Sequence, residues 1–334
     1  MKKPKILVTG ATGYIGSHTW VELLNAGHDV IGVDNFINSR PVMLERISRI
    51  TGATLNFVEG DLCEAETSRK ILEQHDISTV IHFAALKAVG ESVEKPLDYY
   101  TNNLGSLLTL TANMHDADVK RLVFSSSATV YGEPASVPIT EDFPLSATNP
   151  YGMTKLIGEQ ILRDLEKSDP SWNIAYLRYF NPVGAHESGL IGENPLGIPN
   201  NLMPYIAQVA SGRLAQLSVY GDDYPTPDGT GIRDYIHVVD LAKAHLAGLS
   251  YLETASQSIT ANIGTGNGYS VLEMIKAYAR ASGRDIPFAR VARRPGDIAV
   301  CYADASVANS KLNWRAEKSL QAMCEDSWRW QSNC

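Results

Sequence analysis

Residues 5–18 read KILVTGATGYIGSH. An apolar, β-prone run stops at Gly10, and further glycines stand at 13 and 16. This GxxGxxG spacing passes into an amphipathic stretch that Gly27 ends, so the segment predicts strand, tight loop and helix. Glycines in such a loop let backbone N–H groups approach a pyrophosphate at a helix N-terminus. The next β-rich run, VIGVD from Val30, closes on Asp34, with Asn35 beside it. An acid at that distance after the loop is placed to accept hydrogen bonds from an adenosine ribose, and its charge repels a 2′-phosphate. Loop and acid together predict NAD rather than NADP as the ligand.

Outward from this unit, β-rich runs alternate with stretches long enough for crossover helices. The runs are LNFVEGD from Leu55, TVIHFAA from Thr79, RLVFSSS from Arg121 and NIAYLRYFN from Asn173. They are near-continuously apolar, as strands buried on both faces of a parallel sheet are. The expected fold is α/β, a Rossmann-type doubly wound parallel sheet with a smaller C-terminal substrate-binding lobe. The expected division is an NAD-binding domain over 1–180 and a lobe over 181–334, with some later segments returning to the sheet. Gly, Pro and Asn crowd 181–204 and 221–232, which marks the lobe as loop-rich. Gly60–Asp61 and Phe83–Lys87 close the third and fourth runs on the carboxyl edge, where ligands bind in such sheets.

With 334 residues, 44% hydrophobic and 20% charged, the composition suits an ordinary soluble protein with a sizeable core. A net charge of −8 argues against a general nucleic-acid binder. Cys63, Cys301, Cys324 and Cys334 have no CxxC spacing and read as reduced thiols of a cytoplasmic protein. The histidines show no ligand spacing, so no metal site is expected. No window approaches the apolar length of a membrane span.

The stretch NPYGMTK places Tyr151 four residues before Lys155. Asn149 can cap a helix whose first residue is Pro150, and Met153, Ile157, Ile161 and Leu165 continue its stripe. Positions i and i+4 share a helix face, which brings the ammonium near the phenol. A free tyrosine titrates near 10 and is a poor base at neutral pH. A neighbouring lysine and the positive ring of an oxidised nicotinamide favour the phenolate, so Tyr151 is a candidate general base. The preceding SSSATVYG supplies hydroxyls to orient a substrate alcohol.

The glycine loop, Asp34, Ser127, and Tyr151 with Lys155 together resemble the extended short-chain dehydrogenase/reductases that act on nucleotide sugars. Longer stretches resemble the branch of 4-epimerases acting on UDP-hexoses: HFAALKAVGESVEKPLDYY, FSSSATVYGEP, LRYFNPVGAH, GIPNNLMPYIAQVA, DGTGIRDYIHVVDLA and NWRAEKSL. The likeness runs from about Lys5 to Gln331. It implies tightly bound NAD, a sugar 4-hydroxyl that loses its proton to Tyr151, and a 4-keto sugar that turns over while its UDP stays held.

The resemblance assigns roles by position. Tyr151, Lys155 and Ser127 are catalytic. Gly10, Gly13, Tyr14, Ile15 and Gly16 meet the pyrophosphate, and Asp34, Asn35, Phe36, Ile37, Asn38 and Ser39 the adenosine side. Asp61 and Leu62 flank the adenine. Phe83, Ala84, Ala85, Lys87, Asn102 and Phe180 line the rest of the cofactor. Asn181, Asn201, Leu202, Ser218, Tyr220, Arg233, Arg294, Asp297 and Cys301 meet the UDP-sugar, with Ser127 and Tyr151. Arginines suit a diphosphate because the planar fork is bidentate and always charged. The family also implies a homodimer that pairs helices near 97–114 and 151–166.

Rivals are weaker. A 4,6-dehydratase resembles its relatives in carrying an Asp-Glu pair just before VYG, where this chain has Ala128 and Thr129. A non-catalytic NAD-sensing protein needs no activated phenol. The stretch RRPGDIAVCYAD, from Arg293, carries the finer question of substrate breadth. A tyrosine stands at position 301 in narrow-specificity members, and cysteine there implies room for an N-acetylated sugar. Tyr302, its neighbour, would fill that room under a one-residue shift, although alternation along a strand points it to the other face.

Overall fold

The computed structural model describes residues 4–195, 199–294 and 296–334. Its first half runs β1 (Lys5–Thr9), α1 (Tyr14–Asn25), β2 (Val30–Asp34), α2 (Val42–Thr51), β3 (Asn56–Glu59), α3 (Ala65–Gln74) and β4 (Ile77–His82). It continues with α4 (Val89–Glu94), α5 (Pro96–Asp116), β5 (Arg121–Ser127), α6 (Pro150–Ser168) and β6 (Asn173–Tyr179). Next come β7 (Asn181–Val183), α7 (Leu202–Ala210), β8 (Leu217–Tyr220), β9 (Ile232–His237), α8 (Val238–Ala255) and β10 (Ile259–Ile263). The chain closes with β11 (Gly268–Ser270), α9 (Val271–Ser282), β12 (Phe288–Val291), β13 (Val300–Cys301), α10 (Ser306–Leu312) and α11 (Leu320–Ser332).

Seven strands form one parallel sheet in the order β10-β6-β5-β4-β1-β2-β3. The fold is α/β and doubly wound. The order reverses between β1 and β4, and this reversal opens a crevice at the strands' carboxyl ends. Alternation along β1 explains the two cores. Ile6 and Val8 face one side, packed with Trp20 of α1 and Leu249 of α8. Leu7 faces the other, packed with Leu107 of α5 and Leu162 of α6. Burial on both faces is why these strands read as unbroken apolar runs rather than alternating ones. The seventh strand, β10, comes from the second half of the chain.

The lobe has its own core, where Met203 and Ile206 of α7, Met274 and Tyr278 of α9, and Met323 of α11 are buried together. Its strands are short. β9 pairs with β11, β13 and β7, and β8 pairs with β12. The helix that carries Tyr151 starts as its residues dictate. Asn149 Oδ1 accepts from Gly152 N at 2.8 Å, and Pro150 holds the first helical position, where its missing N–H costs nothing. The Gly197–Ile198 pair of GIPNNL and Pro295 of RRPGD lie outside the described residues.

Candidate active site

Gly13 precedes α1 in an extended conformation and no side chain caps the helix. The first N–H groups of a helix have no acceptor within it, so those of Tyr14, Ile15 and Gly16 remain free for an anion. Gly10 has φ +61°, and a Cβ there would sit 2.9 Å from Ala84 N. A Cβ on Gly16 would fall 2.1 Å from Gly10 O. The glycines therefore let the β1 loop, the start of α1 and the β4 loop close on one point. Asp34, at the end of β2, is 9% exposed and accepts from Thr12 N (3.0 Å), Phe36 N (2.9 Å) and Ser39 Oγ (3.1 Å). A carboxylate has about four acceptor positions, so one stays open toward the crevice. Asn35 Nδ2 donates to Asp61 Oδ2 at 3.0 Å, joining the ends of β2 and β3. These features fit a dinucleotide.

A cavity of about 1100 Å³ runs from Asp34 to Tyr151. Its wall contains every expected cofactor residue except Phe36, and it also contains Ser127, Tyr151, Lys155, Asn181 and Asn201. Phe36 differs because its backbone takes φ +58° and its ring packs on Phe57, 5.3 Å between centroids.

Ser127 ends β5, and its Oγ accepts from Thr129 N (3.2 Å) and Thr129 Oγ1 (3.0 Å) in the short 3₁₀ turn that follows. Burial pushes the Tyr151 phenol up to about 12, with the nearby Ser127 hydroxyl pulling it the other way. Lys155 is 5% exposed, sits 5.3 Å over the Phe124 ring, and is drawn down to about 8 by burial. The lysine and the positive nicotinamide ring expected to favour the phenolate act against this burial. Below Lys155, Thr9 Oγ1 accepts from Phe83 N (3.1 Å) and Ala84 N (3.2 Å) and donates to His82 Nδ1 (2.9 Å). Burial, with the charge of Lys155, holds His82 down at about 3, so it stays neutral.

The remaining substrate residues, Leu202, Ser218, Tyr220, Arg233, Arg294, Asp297 and Cys301, lie outside this wall. Asn181 opens β7, which pairs with β9 at Tyr235; Arg233 lies on β9, and Cys301 of β13 pairs with it. Arg294 lies over the Tyr220 ring at 4.7 Å and its Nε donates to Asp297 Oδ2 at 2.9 Å. Asp297 Oδ1 is 4.0 Å from Arg233 Nη2. Two arginines and a tyrosine thus gather around a single carboxylate. Leu202 starts α7 and packs into the lobe core, and Ser218 lies in β8, opposite Ala289 of β12. Cys301, 9% exposed, is buried with Phe180, Val130 and Tyr131, and burial pushes its thiol up to about 11. The Tyr302 ring lies against Gly268 of β11 instead. Cys301 thus shares a buried cluster with Phe180 of the cavity wall, and the Tyr302 ring lies elsewhere.

Three contributors escape a reading of the sequence. Glu193 Oε1 accepts from Lys87 Nζ (2.7 Å) and Asn201 Nδ2 (3.0 Å), linking a cofactor position to a substrate position. Asn103 accepts from Leu86 N (2.8 Å) and donates to Leu86 O (3.0 Å) and Thr154 Oγ1 (3.0 Å), fixing the β4 loop to α6. Trp330 of α11 donates to Glu193 O at 3.0 Å and lines the cavity from the chain's far end. None stands in a periodic pattern or a short motif, so nothing local marks them.

A glycine loop at a topological switch point, an acid closing β2, and a Ser/Tyr/Lys set on the same rim define a dinucleotide-dependent enzyme of the extended short-chain class. The family model for the NAD dependent epimerase/dehydratase family matches residues 6–264, and the chain belongs to that family. It is 58% identical over 328 residues to UDP-glucose 4-epimerase of Bacillus subtilis, covering 98% of this chain and 97% of the relative. Two solved structures are similar throughout. One is UDP-glucose 4-epimerase of Bifidobacterium longum in complex with NAD+ and UDP, at 56% identity and TM-score 0.95, covering 98% of each chain. The other is the enzyme of Stenotrophomonas maltophila with bound NAD and formylated UDP-arabinopyranose, at 52% identity and TM-score 0.97, covering 99% of this chain and 98% of that one. Among the described residues no helix is long and apolar enough to cross a membrane.

Proposed function

We propose that this protein interconverts UDP-glucose and UDP-galactose by inverting C4, with NAD as its resident cofactor. The observation that carries this is the convergence of Ser127, Tyr151 and Lys155 with the glycine loop and Asp34 on one cavity. It occurs in a chain 58% identical to a UDP-glucose 4-epimerase. When bound, NAD supplies a reversible hydride acceptor and, in its oxidised form, the positive ring that favours the Tyr151 phenolate. Tyr151 takes the proton of the 4-hydroxyl and returns it to the 4-keto sugar after that sugar has turned over. Ser127 orients the reacting hydroxyl, and Lys155 holds the nicotinamide ribose. The cluster of Arg233, Arg294 and Asp297, with Tyr220 beside the uracil, holds the UDP. Binding energy is thereby spent on UDP, remote from the reacting carbon, and the sugar stays free to rotate.

Finer features belong to the same reading. Residues 1–180 bind NAD and 181–334 mainly bind the UDP-sugar. The protein acts in the cytoplasm. Cys301 beside Phe180 leaves room for an acetamido group, so UDP-GlcNAc and UDP-GalNAc are also substrates. The protein works as a homodimer through α5 and α6. Leu97 and Leu108 of α5 are 77% and 50% exposed, and Ile157 and Ile161 of α6 are half-buried.

The decisive assay incubates purified protein and NAD with UDP-galactose and measures UDP-glucose. Wild type forms it, and Tyr151→Phe retains bound NAD but loses about 100- to 10,000-fold in kcat, the range for a lost general base. A wild-type protein that holds NAD and converts neither sugar would end this reading.

A further inference from the structure

A buried guanidinium–carboxylate pair stands behind the catalytic face. Glu159 follows Tyr151 and Lys155 at successive i+4 steps on α6, so the three share a stripe. Glu159 and Arg178 of β6 are each 1% exposed. Arg178 Nε donates to Glu159 Oε1 (2.8 Å) and Arg178 Nη2 to Oε2 (2.6 Å), a bidentate fork. Ser126 Oγ also donates to Oε1 (2.6 Å). Arg178 Nη1 donates to Tyr131 OH (2.9 Å) and to Glu141 O (3.1 Å). Tyr131 OH donates to Asn262 Oδ1 (2.6 Å), and Asn262 Nδ2 to Ile139 O (2.8 Å). None of these side chains lines the cavity.

Apolar residues of similar volume hold a helix to a sheet at least as well as a buried ion pair does. What the fork adds is geometry. Its two parallel bonds are satisfied at one axial position and one rotation of α6 against β5 and β6. The same pair reaches both carriers of the catalytic set. It grips α6 one turn beyond Lys155. It also grips Ser126, the neighbour of Ser127, and Tyr131, which ends the turn that Ser127 Oγ caps.

We propose that the Glu159–Arg178 pair is a positioning device that sets the Tyr151 hydroxyl against Ser127, acting on the rate of proton transfer rather than on holding the sugar nucleotide. This rests on the roles given to Tyr151 and Ser127 above. Glu159→Asp keeps the charge but withdraws the fork by one methylene. The double variant Glu159→Leu with Arg178→Met removes both charges together.

Wild type, the two variants and Tyr151→Phe are compared for kcat, KM for UDP-galactose, bound NAD per subunit and unfolding temperature. In Glu159→Asp, kcat is expected to fall about 10- to 100-fold, the effect of an ångström-scale misplacement. KM stays within about twofold, and NAD content is unchanged. The rising limb of kcat against pH moves to higher pH, because a Ser127 hydroxyl set farther from the phenol stabilises the phenolate less. The double variant recovers unfolding temperature without recovering kcat. Recovery of kcat in step with unfolding temperature, or a raised KM at unchanged kcat, would overturn the proposal. Full activity in Tyr151→Phe would instead show that the underlying assignment of the base is wrong.

Discussion

Burial draws Lys155 from its ordinary 10.5 down to about 8, and this has a consequence for stability. Below pH 8 the folded and unfolded states both carry the charged lysine, and the folded state bears a desolvation cost of roughly 3 kcal/mol. That cost shrinks as pH rises from about 8 and is gone above about 10.5, where both states are neutral. Lys155→Met is therefore expected to raise stability at pH 7 by up to about 3 kcal/mol while abolishing epimerisation. Urea unfolding at pH 7 and pH 10.5 checks this, and a gain that does not shrink at the higher pH contradicts it. Cys301 raises the second residue-scale question. Cys301→Tyr places a ring beside Phe180, so turnover of UDP-GlcNAc should fall at least about tenfold while UDP-galactose turnover changes little. Wild type that ignores the N-acetyl pair refutes the reading of Cys301 and leaves the 4-epimerase reading standing.

Among the elements, α6 carries the Tyr151–Lys155 pair. Its start is set by Asn149 and Pro150, its inner stripe presents Tyr151 and Lys155 to the cavity, and its outer face with α5 leaves apolar side chains half-covered. Both helix and cap were legible in NPYGMTK, because capping and i, i+4 spacing are local properties. In the homodimer proposed above, a second chain covers this outer face. Leu108→Arg, at a residue 50% exposed in the single chain, should leave the fold intact and shift sedimentation from dimer to monomer. Wild type that sediments as a monomer at micromolar concentration removes the dimer proposal.

At the scale of the whole molecule, the C-terminal segment ties the lobe back to the sheet. Asp240, 1% exposed in the first turn of α8, accepts from Glu317 N (3.0 Å) and Lys318 N (2.8 Å), and Trp314 Nε1 donates to its backbone oxygen (3.0 Å). Asp240→Ala strands those two N–H groups, a loss of about 1–3 kcal/mol. Amide exchange should then quicken first across residues 314–332, and uniform acceleration throughout the chain would contradict a local tie. The sequence by itself determined the parallel sheet, the glycine loop with Asp34, and the Tyr151–Lys155 helix. Each is written in periodicity, caps or short spacing, which need no distant partner. Only the tertiary structure decided that β10 returns as the seventh strand and that Phe36 leaves the cavity for Phe57. The same holds for Cys301, and not Tyr302, joining the buried cluster of Phe180, and for Glu193 joining Lys87 to Asn201. The desolvation of Tyr151 and Lys155 is likewise set by everything packed around them, and no local pattern records it.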